Sequence, residues 1–201
     1  IRFPGLPIYP VEADFTQRVA MPDEIADLPK LGFFPGSTIG NMVARTAIDL
    51  LRNWRCALGE ASLLLIGIDR IKDVATLELA YDDPAGVTAA FNLNLLERIN
   101  RELGGDIPVE NFAHRAVWDD VHARIEMHLV AACDMEFAID GRLYAMAKGE
   151  TIHSENSHKY GPRDANLLLR ASGWTPIATW DDADPGFALI LAEATAFRSA
   201  P

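Results

Sequence analysis

The chain has 201 residues, of which 49% are hydrophobic and 23% are charged. This composition is that of an ordinary globular protein and argues against a disordered chain or a coiled coil. The formal net charge of −11 at pH 7 opposes a nucleic-acid partner, because binding to phosphates is driven by Lys and Arg. No apolar run approaches the roughly 20 residues needed to span a bilayer, so no membrane association is expected.

The cysteines, the histidines and the N-terminal residues point away from secretion and from metal binding. The opening residues lack the basic, apolar and small-residue pattern of a secretory leader, which favours a cytoplasmic location. Cys56 and Cys133 have no metal-type spacing, and we interpret them as reduced thiols. The five histidines form neither an HExxH motif nor a Cys/His ligand set, so we expect no metal.

The first part of the chain has the pattern of an α/β protein. Residues 8–13 alternate in hydrophobicity and predict a strand, and residues 31–34 predict a second, short strand. Apolar residues then recur every three or four positions over residues 43–58, which predicts an amphipathic helix. The Leu- and Ile-rich run 62–68 is typical of a strand buried on both faces of a parallel sheet.

The pattern changes after residue 74. Residues 74–103 are mostly helical in character, with a break at Pro84 and Gly86. Between residues 116 and 147 polar and apolar residues alternate as in antiparallel strands, and Asp140-Gly141 predicts a hairpin turn. A helix and two strands complete the prediction, at residues 163–172, 175–180 and 187–192.

These elements predict an α/β fold in which a module of different character interrupts a parallel sheet. We assign residues 1–74 and 157–201 to the sheet-containing core. Residues 75–156 form the inserted α+β module.

Polar residues at the ends of predicted elements are the candidates for ligand binding. The turn Gly36–Asn41 follows a strand and precedes a helix, where open α/β sheets bind ligands, and its glycines allow a backbone to pass close to a ligand. Asn41 as a helix N-cap explains the turn equally well. Asp14 and Phe15 at a strand end suit an adenine amino group and its ring, or form an ordinary solvated loop.

Two later segments also admit two interpretations each. Tyr81, which is followed by two aspartates, is either a ligand-binding residue or part of a polar helix end. The segment Glu155-Asn156-Ser157 is either part of a binding site or a surface loop.

Five segments of the chain carry longer, more specific motifs. They are residues 31–41 (LGFFPGSTIGN), 81–92 (YDDPAGVTAAFN), 124–129 (RIEMHL), 149–153 (GETIH) and 155–160 (ENSHKY). Together they resemble the histidine-specific methyltransferases of ergothioneine biosynthesis, which convert histidine to trimethylated hercynine. The resemblance extends over roughly residues 9 to 180.

The resemblance implies a partial Rossmann-like class I methyltransferase sheet, an inserted substrate-binding module and S-adenosylmethionine as cosubstrate. It implies that Asn41 and Tyr81 hold the amino and carboxylate end of histidine, and that Glu155 and Ser157 bind the imidazole. The other implied contacts are Gly36, Thr38 and Met127 for the substrate, and Asp14 and Phe15 for the adenine.

The family's glycine-rich cosubstrate loop and its acidic ribose-binding residue do not occur in these residues, and we expect them before residue 1. We therefore expect these residues by themselves to bind S-adenosylmethionine poorly. An exposed sheet edge at the place of the first strands would favour self-association.

Three alternatives stay open at this point. The first is a methyltransferase for another small amine or amino acid, and the second is a non-catalytic remnant that binds a ligand. The third is a purely structural acidic domain.

Overall fold

A computed structural model describes residues 5–183 and 186–195 of the chain. These residues form nine strands and four α-helices, joined by loops and three short 3₁₀ turns. They divide into two compact units, one running up to Arg70 and resuming at Tyr160, the other comprising Ile71–Lys159. Among the described residues no helix has the length and apolar character needed to cross a membrane.

The first unit is built on a four-stranded sheet in the order β1-β2-β9-β8. The strands are β1 (Leu31–Phe34), β2 (Leu63–Asp69), β8 (Trp174–Asp181) and β9 (Phe187–Ala194). β1 and β2 are parallel, but β9 is antiparallel to both of its neighbours. The prediction of a parallel sheet was therefore wrong for β9. The short connection between β8 and β9 permits only antiparallel pairing of these two strands.

Helices α1 (Ala44–Leu58) and α4 (Pro162–Ala171) pack on the sheet of the first unit. The predicted periodicity of α1 is confirmed, since Ala47, Leu50 and Leu51 are buried. The helix ends at Gly59, whose φ of 88° lies in the region that glycine adopts without strain. The indole of Trp174 is fully buried in this core, and its Nε1 donates to the carbonyl oxygen of Leu51 at 3.0 Å.

The second unit combines two helices with antiparallel strands. The helices are α2 (Val74–Tyr81) and α3 (Val87–Leu103), and the three-stranded sheet has the order β3-β4-β7. Its strands are β3 (Phe112–Asp119), β4 (Arg124–Ala131) and β7 (Thr151–His158), and β5 (Met135–Ile139) and β6 (Arg142–Met146) form a hairpin. The predicted Asp140-Gly141 turn is confirmed, with positive φ at both residues.

The alternation predicted for β4 decides which face of this sheet is covered. Ile125, Met127 and Leu129 are buried, whereas the residues between them are half-buried. Ile125 packs with Leu77 of α2, and Leu129 packs in a cluster with Leu96 of α3. The apolar face of the sheet therefore lies against the two helices.

The limits of the two units lie close to the predicted boundaries at residues 74 and 157. The role of the second unit as a substrate-binding module stays a prediction.

Two local predictions were wrong. Residues 8–13 form no strand, because Pro7 and Pro10 remove backbone donors and nothing among the described residues pairs with the segment. Asn41 does not cap α1, since it ends a 3₁₀ turn (Thr38–Asn41) and the N-cap position is Val43.

Candidate functional site

One face of the second unit's sheet carries three of the residues predicted to bind substrate. Glu155 and Ser157 are two residues apart on β7 and therefore share a face. Met127 is the register partner of Glu155, and Ile125 is that of Ser157, so all four lie on the helix-covered face. The surface-loop interpretation of Glu155-Asn156-Ser157 was wrong, because the segment lies within a strand.

Tyr81, Ser157 and Lys159 form a closed hydrogen-bonded triangle on this face. The oxygens of Tyr81 and Ser157 are 2.7 Å apart, and the Lys159 Nζ donates to each of them at 2.8 Å. Ser157 is 4% exposed and Lys159 is 3% exposed. Because a buried ammonium is costly unless it is hydrogen-bonded, the two hydroxyls help to hold this charge inside the protein.

Lys159 was not among the predicted site residues. Its position two residues beyond Ser157 continues the alternation of β7, and this was the available signal. Its ammonium also lies 4.5 Å from the centroid of the Tyr81 ring. The triangle thus brings together two residues predicted from the resemblance and one that was missed.

The backbone of Tyr81 is held by two further residues that the sequence did not indicate. The Nε2 of His114 donates to the Tyr81 carbonyl oxygen at 2.7 Å, and the Nδ1 accepts from the Asn92 amide at 3.0 Å. An amide N–H can only donate, so the hydrogen of the neutral imidazole is on Nε2. This chain of bonds fixes the end of α2.

Asp83 holds the start of α3. Its carboxylate accepts from the backbone N–H groups of Thr88 at 2.8 Å and Val87 at 3.1 Å. These bonds lower the pKa of Asp83 to about 2. Asp83 therefore orders the connection that follows Tyr81, in agreement with the helix-end interpretation of the two aspartates.

Glu155 lines a cavity of about 180 Å³ together with residues of α3, among them Phe91 and Asn92. Of the predicted site residues that the structure describes, Glu155 alone lines this cavity. Burial raises the pKa of its carboxyl group. The cavity is smaller than the roughly 300–1,000 Å³ of pockets for drug-sized molecules, which suits a small ligand.

The loop that follows β1 in the first unit contains Gly36, Thr38 and Asn41. Ser37 ties the loop to the end of β2, because its Oγ accepts from the Asp69 N–H at 3.0 Å. A Cβ on Gly36 would meet only the Thr38 Oγ1, at 3.8 Å, so packing within the chain does not require glycine there. It stays a prediction that Gly36, Thr38 and Asn41 contribute to a histidine pocket.

Gly67 of β2 determines how this loop leaves β1. A Cβ at this position would overlap the carbonyl oxygen of Pro35, so the chain passes where a side chain would otherwise lie. The sequence carried one sign of this, a single glycine inside the apolar run of β2, which marks a close backbone approach.

Asp14 and Phe15 lie in a loop of the first unit and not at a strand end. The Asp14 Oδ1 accepts from the N–H and the hydroxyl of Thr16 at 2.9 and 2.6 Å, and these bonds lower the pKa of the carboxyl group. The indole of Trp54 donates to the Phe15 carbonyl oxygen at 3.1 Å. Phe15 is 47% exposed, and it borders an apolar groove that also includes Phe33.

A second polar cluster lies on the other face of the same sheet. Potential ligand atoms of Glu126, His128 and His153 lie within 4.8 Å of one another. Arg124 donates to the Glu126 carboxylate at 2.5 Å, and the two imidazoles stack with centroids 4.7 Å apart. Burial alone would raise the pKa of Glu126, but hydrogen bonds from Arg124 and His128 lower it. The guanidinium already neutralises this carboxylate, which favours an ion pair over a metal site.

A family model described as histidine-specific methyltransferase, SAM-dependent, matches residues 1–194. The chain belongs to this family. The family predicted from the sequence is thus confirmed, together with the α/β class of its fold.

Relatives of this family member include histidine N-alpha-methyltransferases of two mycobacteria. The Mycolicibacterium smegmatis protein is 36% identical over 199 residues, which are 94% of this chain and 59% of the relative. The Mycobacterium tuberculosis protein is 36% identical over 203 residues, with the same coverage. Ergothioneine biosynthesis protein 1 of Neurospora crassa is 28% identical over 154 residues, 72% of this chain and 16% of that protein. The chain spans 59% of the length of the first two relatives.

Proposed function

We propose that this protein is an S-adenosylmethionine-dependent N-methyltransferase that methylates the α-amino group of histidine as far as trimethylhistidine, hercynine, in ergothioneine biosynthesis. One observation carries the proposal. In a chain of the histidine-specific family, a half-buried carboxylate, Glu155, shares a sheet face with Ser157, and Ser157 is hydrogen-bonded to Tyr81 of α2.

Glu155 and Ser157 are proposed to bind the imidazole. A buried imidazole requires partners for both nitrogens, because an unpaired polar group costs about 1–3 kcal/mol. A carboxylate accepts from a ring N–H, and a hydroxyl serves the second nitrogen. The raised pKa of Glu155 reflects a partly desolvated carboxylate, and hydrogen bonds to such groups are stronger than in water.

Asn41 and Tyr81 are proposed to hold the amino-acid end of histidine, with Gly36, Thr38 and Met127 lining the site. Methyl transfer is an in-line displacement at carbon, so the position of the amine dominates the rate. The amine reacts through its lone pair, and neutral polar neighbours orient it without a strong base. The Tyr81 ring face would attract the growing cation by about 0.5–2 kcal/mol.

S-adenosylmethionine would supply the methyl group when bound. Asp14 uses only Oδ1 in its bonds to Thr16, which leaves Oδ2 to accept from an adenine amino group. The half-exposed Phe15 side chain suits stacking on an adenine ring. These two residues therefore fit the adenine end of the cosubstrate.

Self-association and a cytoplasmic location belong to the same proposal. Among the described residues β1 is hydrogen-bonded to a strand on one side only. Leu31 and Phe33 of this strand are 54% and 65% exposed. Open strand edges favour pairing with another chain. The free thiols of Cys56 and Cys133 are compatible with a reducing compartment.

The substitution Glu155→Gln tests the histidine site. Gln keeps an acceptor oxygen but removes the charge, which lowers the value of the hydrogen bond by about 1–1.5 kcal/mol, so we expect histidine affinity to fall about 5- to 13-fold. Calorimetry of the full chain with histidine measures this loss. Glu136→Gln is the matched control, because Glu136 is an exposed residue on β5 of the same unit.

The titrations also separate the competing functions. Methylated histidine products, followed by mass spectrometry, support the proposed reaction. Equal histidine affinities of wild type and Glu155→Gln indicate a different small substrate. Binding of neither ligand indicates a structural domain.

A further inference from the structure

The Ser157 hydroxyl is contacted by two groups, the Lys159 ammonium and the Tyr81 hydroxyl. A hydroxyl oxygen has two lone pairs and one hydrogen, whereas an ammonium can only donate. Lys159 therefore occupies one lone pair of the Ser157 Oγ. The 2.7 Å contact between the two hydroxyls allows either to donate, and we assign the hydrogen to Tyr81, because a phenol is more acidic than an alcohol and Lys159 also donates to it. The Tyr81 hydroxyl then occupies the second lone pair of Ser157.

With both lone pairs occupied, the Ser157 side chain can form a further hydrogen bond only by donating its hydroxyl hydrogen. The hydrogen-bond partners of Ser157 Oγ among the described residues are Tyr81 and Lys159, and neither accepts this hydrogen when both of them donate. A ligand atom that meets Ser157 must therefore offer a lone pair, which a ring nitrogen does only when it carries no hydrogen.

We propose that Lys159 is a positioning residue that determines specificity, because its ammonium makes Ser157 an obligate donor to the ring of the substrate. The inference rests on the proposed histidine site. An ionised Glu155 can only accept, whereas Ser157 in the triangle can only donate. The pair is complementary to one neutral tautomer of an imidazole, with its N–H toward Glu155 and its bare nitrogen toward Ser157.

The Lys159 side chain can be replaced without loss of the backbone hydrogen bond at this position. The Lys159 backbone N–H donates to the Ala123 carbonyl oxygen at 2.8 Å, a bond that survives substitution of the side chain. Lys159→Met keeps a long unbranched chain but removes the donors. One lone pair of Ser157 then becomes free, and Ser157 is able to accept as well as to donate.

The test combines a change of one ligand atom with a change of one residue. The probes are histidine and the two pyrrolylalanine isomers, each of which keeps one ring N–H and has a C–H at the bare nitrogen. Calorimetry of the full chain gives the ratio of affinities for histidine and the better isomer. We expect a ratio of about tenfold or more in the wild type, equivalent to about 1.4 kcal/mol.

In Lys159→Met we expect this ratio to fall severalfold, because Ser157 no longer requires an acceptor. Lys148→Met is the matched control, since Lys148 is exposed in the same unit, and it should keep the wild-type ratio. Loss of packing alone would weaken all three ligands together and leave the ratio unchanged. The ratio therefore reports the hydrogen-bond assignment and not the stability of the site.

A second variant covers the case in which Lys159→Met does not fold. Tyr81→Phe also frees a lone pair of Ser157, so we expect the same fall in the ratio. Any contact that Tyr81 makes with the amino-acid end is common to all three ligands and cancels in the ratio. An unchanged ratio in the folded variants overturns the inference but leaves the histidine site intact. Failure of the wild type to bind histidine overturns both the inference and the proposed function.

Discussion

Gly67→Ala would place a methyl group where the chain leaving β1 crosses β2. The added Cβ would overlap the Pro35 carbonyl oxygen and lie 2.7 Å from the Phe187 ring. The oxygen belongs to the backbone next to Phe34, whose register partner on β2 is Ile66. Relief of the overlap therefore requires a shift of β1 or of the loop that carries Gly36, Thr38 and Asn41.

The expected cost is set by two opposing terms. Overpacking of this kind destabilises by about 1–3 kcal/mol, and a rigid backbone neighbour places Gly67→Ala in the upper part of that range. The lower entropy of the unfolded alanine chain offsets about 0.4–1 kcal/mol. We expect a net loss of about 1–2.5 kcal/mol in the free energy of unfolding.

Two other glycines of the first unit supply matched controls. A Cβ at Gly32 would lie 2.9 Å from the Leu58 Cδ1 and 3.1 Å from the Leu64 Cδ1, which are flexible side-chain ends. Gly32→Ala should therefore cost less than Gly67→Ala. Gly36→Ala meets nothing closer than 3.8 Å and should change stability by less than about 0.5 kcal/mol.

Urea unfolding of the full chain, followed by circular dichroism, gives the three free energies by linear extrapolation. Hydrogen exchange in β1 and the loop after it shows whether the loss is local to these segments. We expect the order Gly36→Ala, Gly32→Ala, Gly67→Ala from most to least stable. A Gly67→Ala variant as stable as Gly36→Ala would refute the overlap.

Two further predictions concern pH and assembly. Burial raises the pKa of Glu155 above 4.5, so the protonated form is favoured in the folded state, and this stabilisation is lost as the pH rises through the raised value. Glu155→Gln removes this pH dependence. The unfolding free energy of the variant minus that of the wild type should therefore increase from about pH 4 to about pH 7. A difference that does not change with pH contradicts the raised pKa of Glu155. Phe33→Asp on the open strand β1 should weaken self-association in light scattering, whereas a strictly monomeric wild type rules that association out.

The elements that the sequence predicted correctly depend on periodicity or on a local turn. The spacing of Ala47, Leu50 and Leu51 marks the buried side of α1, and alternation marks both faces of β4. These signals are reliable because side-chain direction follows from the helical or extended backbone itself. Tyr81, Glu155 and Ser157 were candidates from the sequence pattern, and the resemblance gave them roles that the pattern had left open.

Pairing and hydrogen-bond partners required the tertiary structure. The antiparallel direction of β9 and the absence of a strand over residues 8–13 depend on which segments meet, and such partners are distant in sequence. The triangle joins Tyr81 to Ser157 and Lys159 across more than seventy positions of the chain. A sequence determines the faces of its helices and strands locally, but only packing decides which polar groups on those faces share a proton.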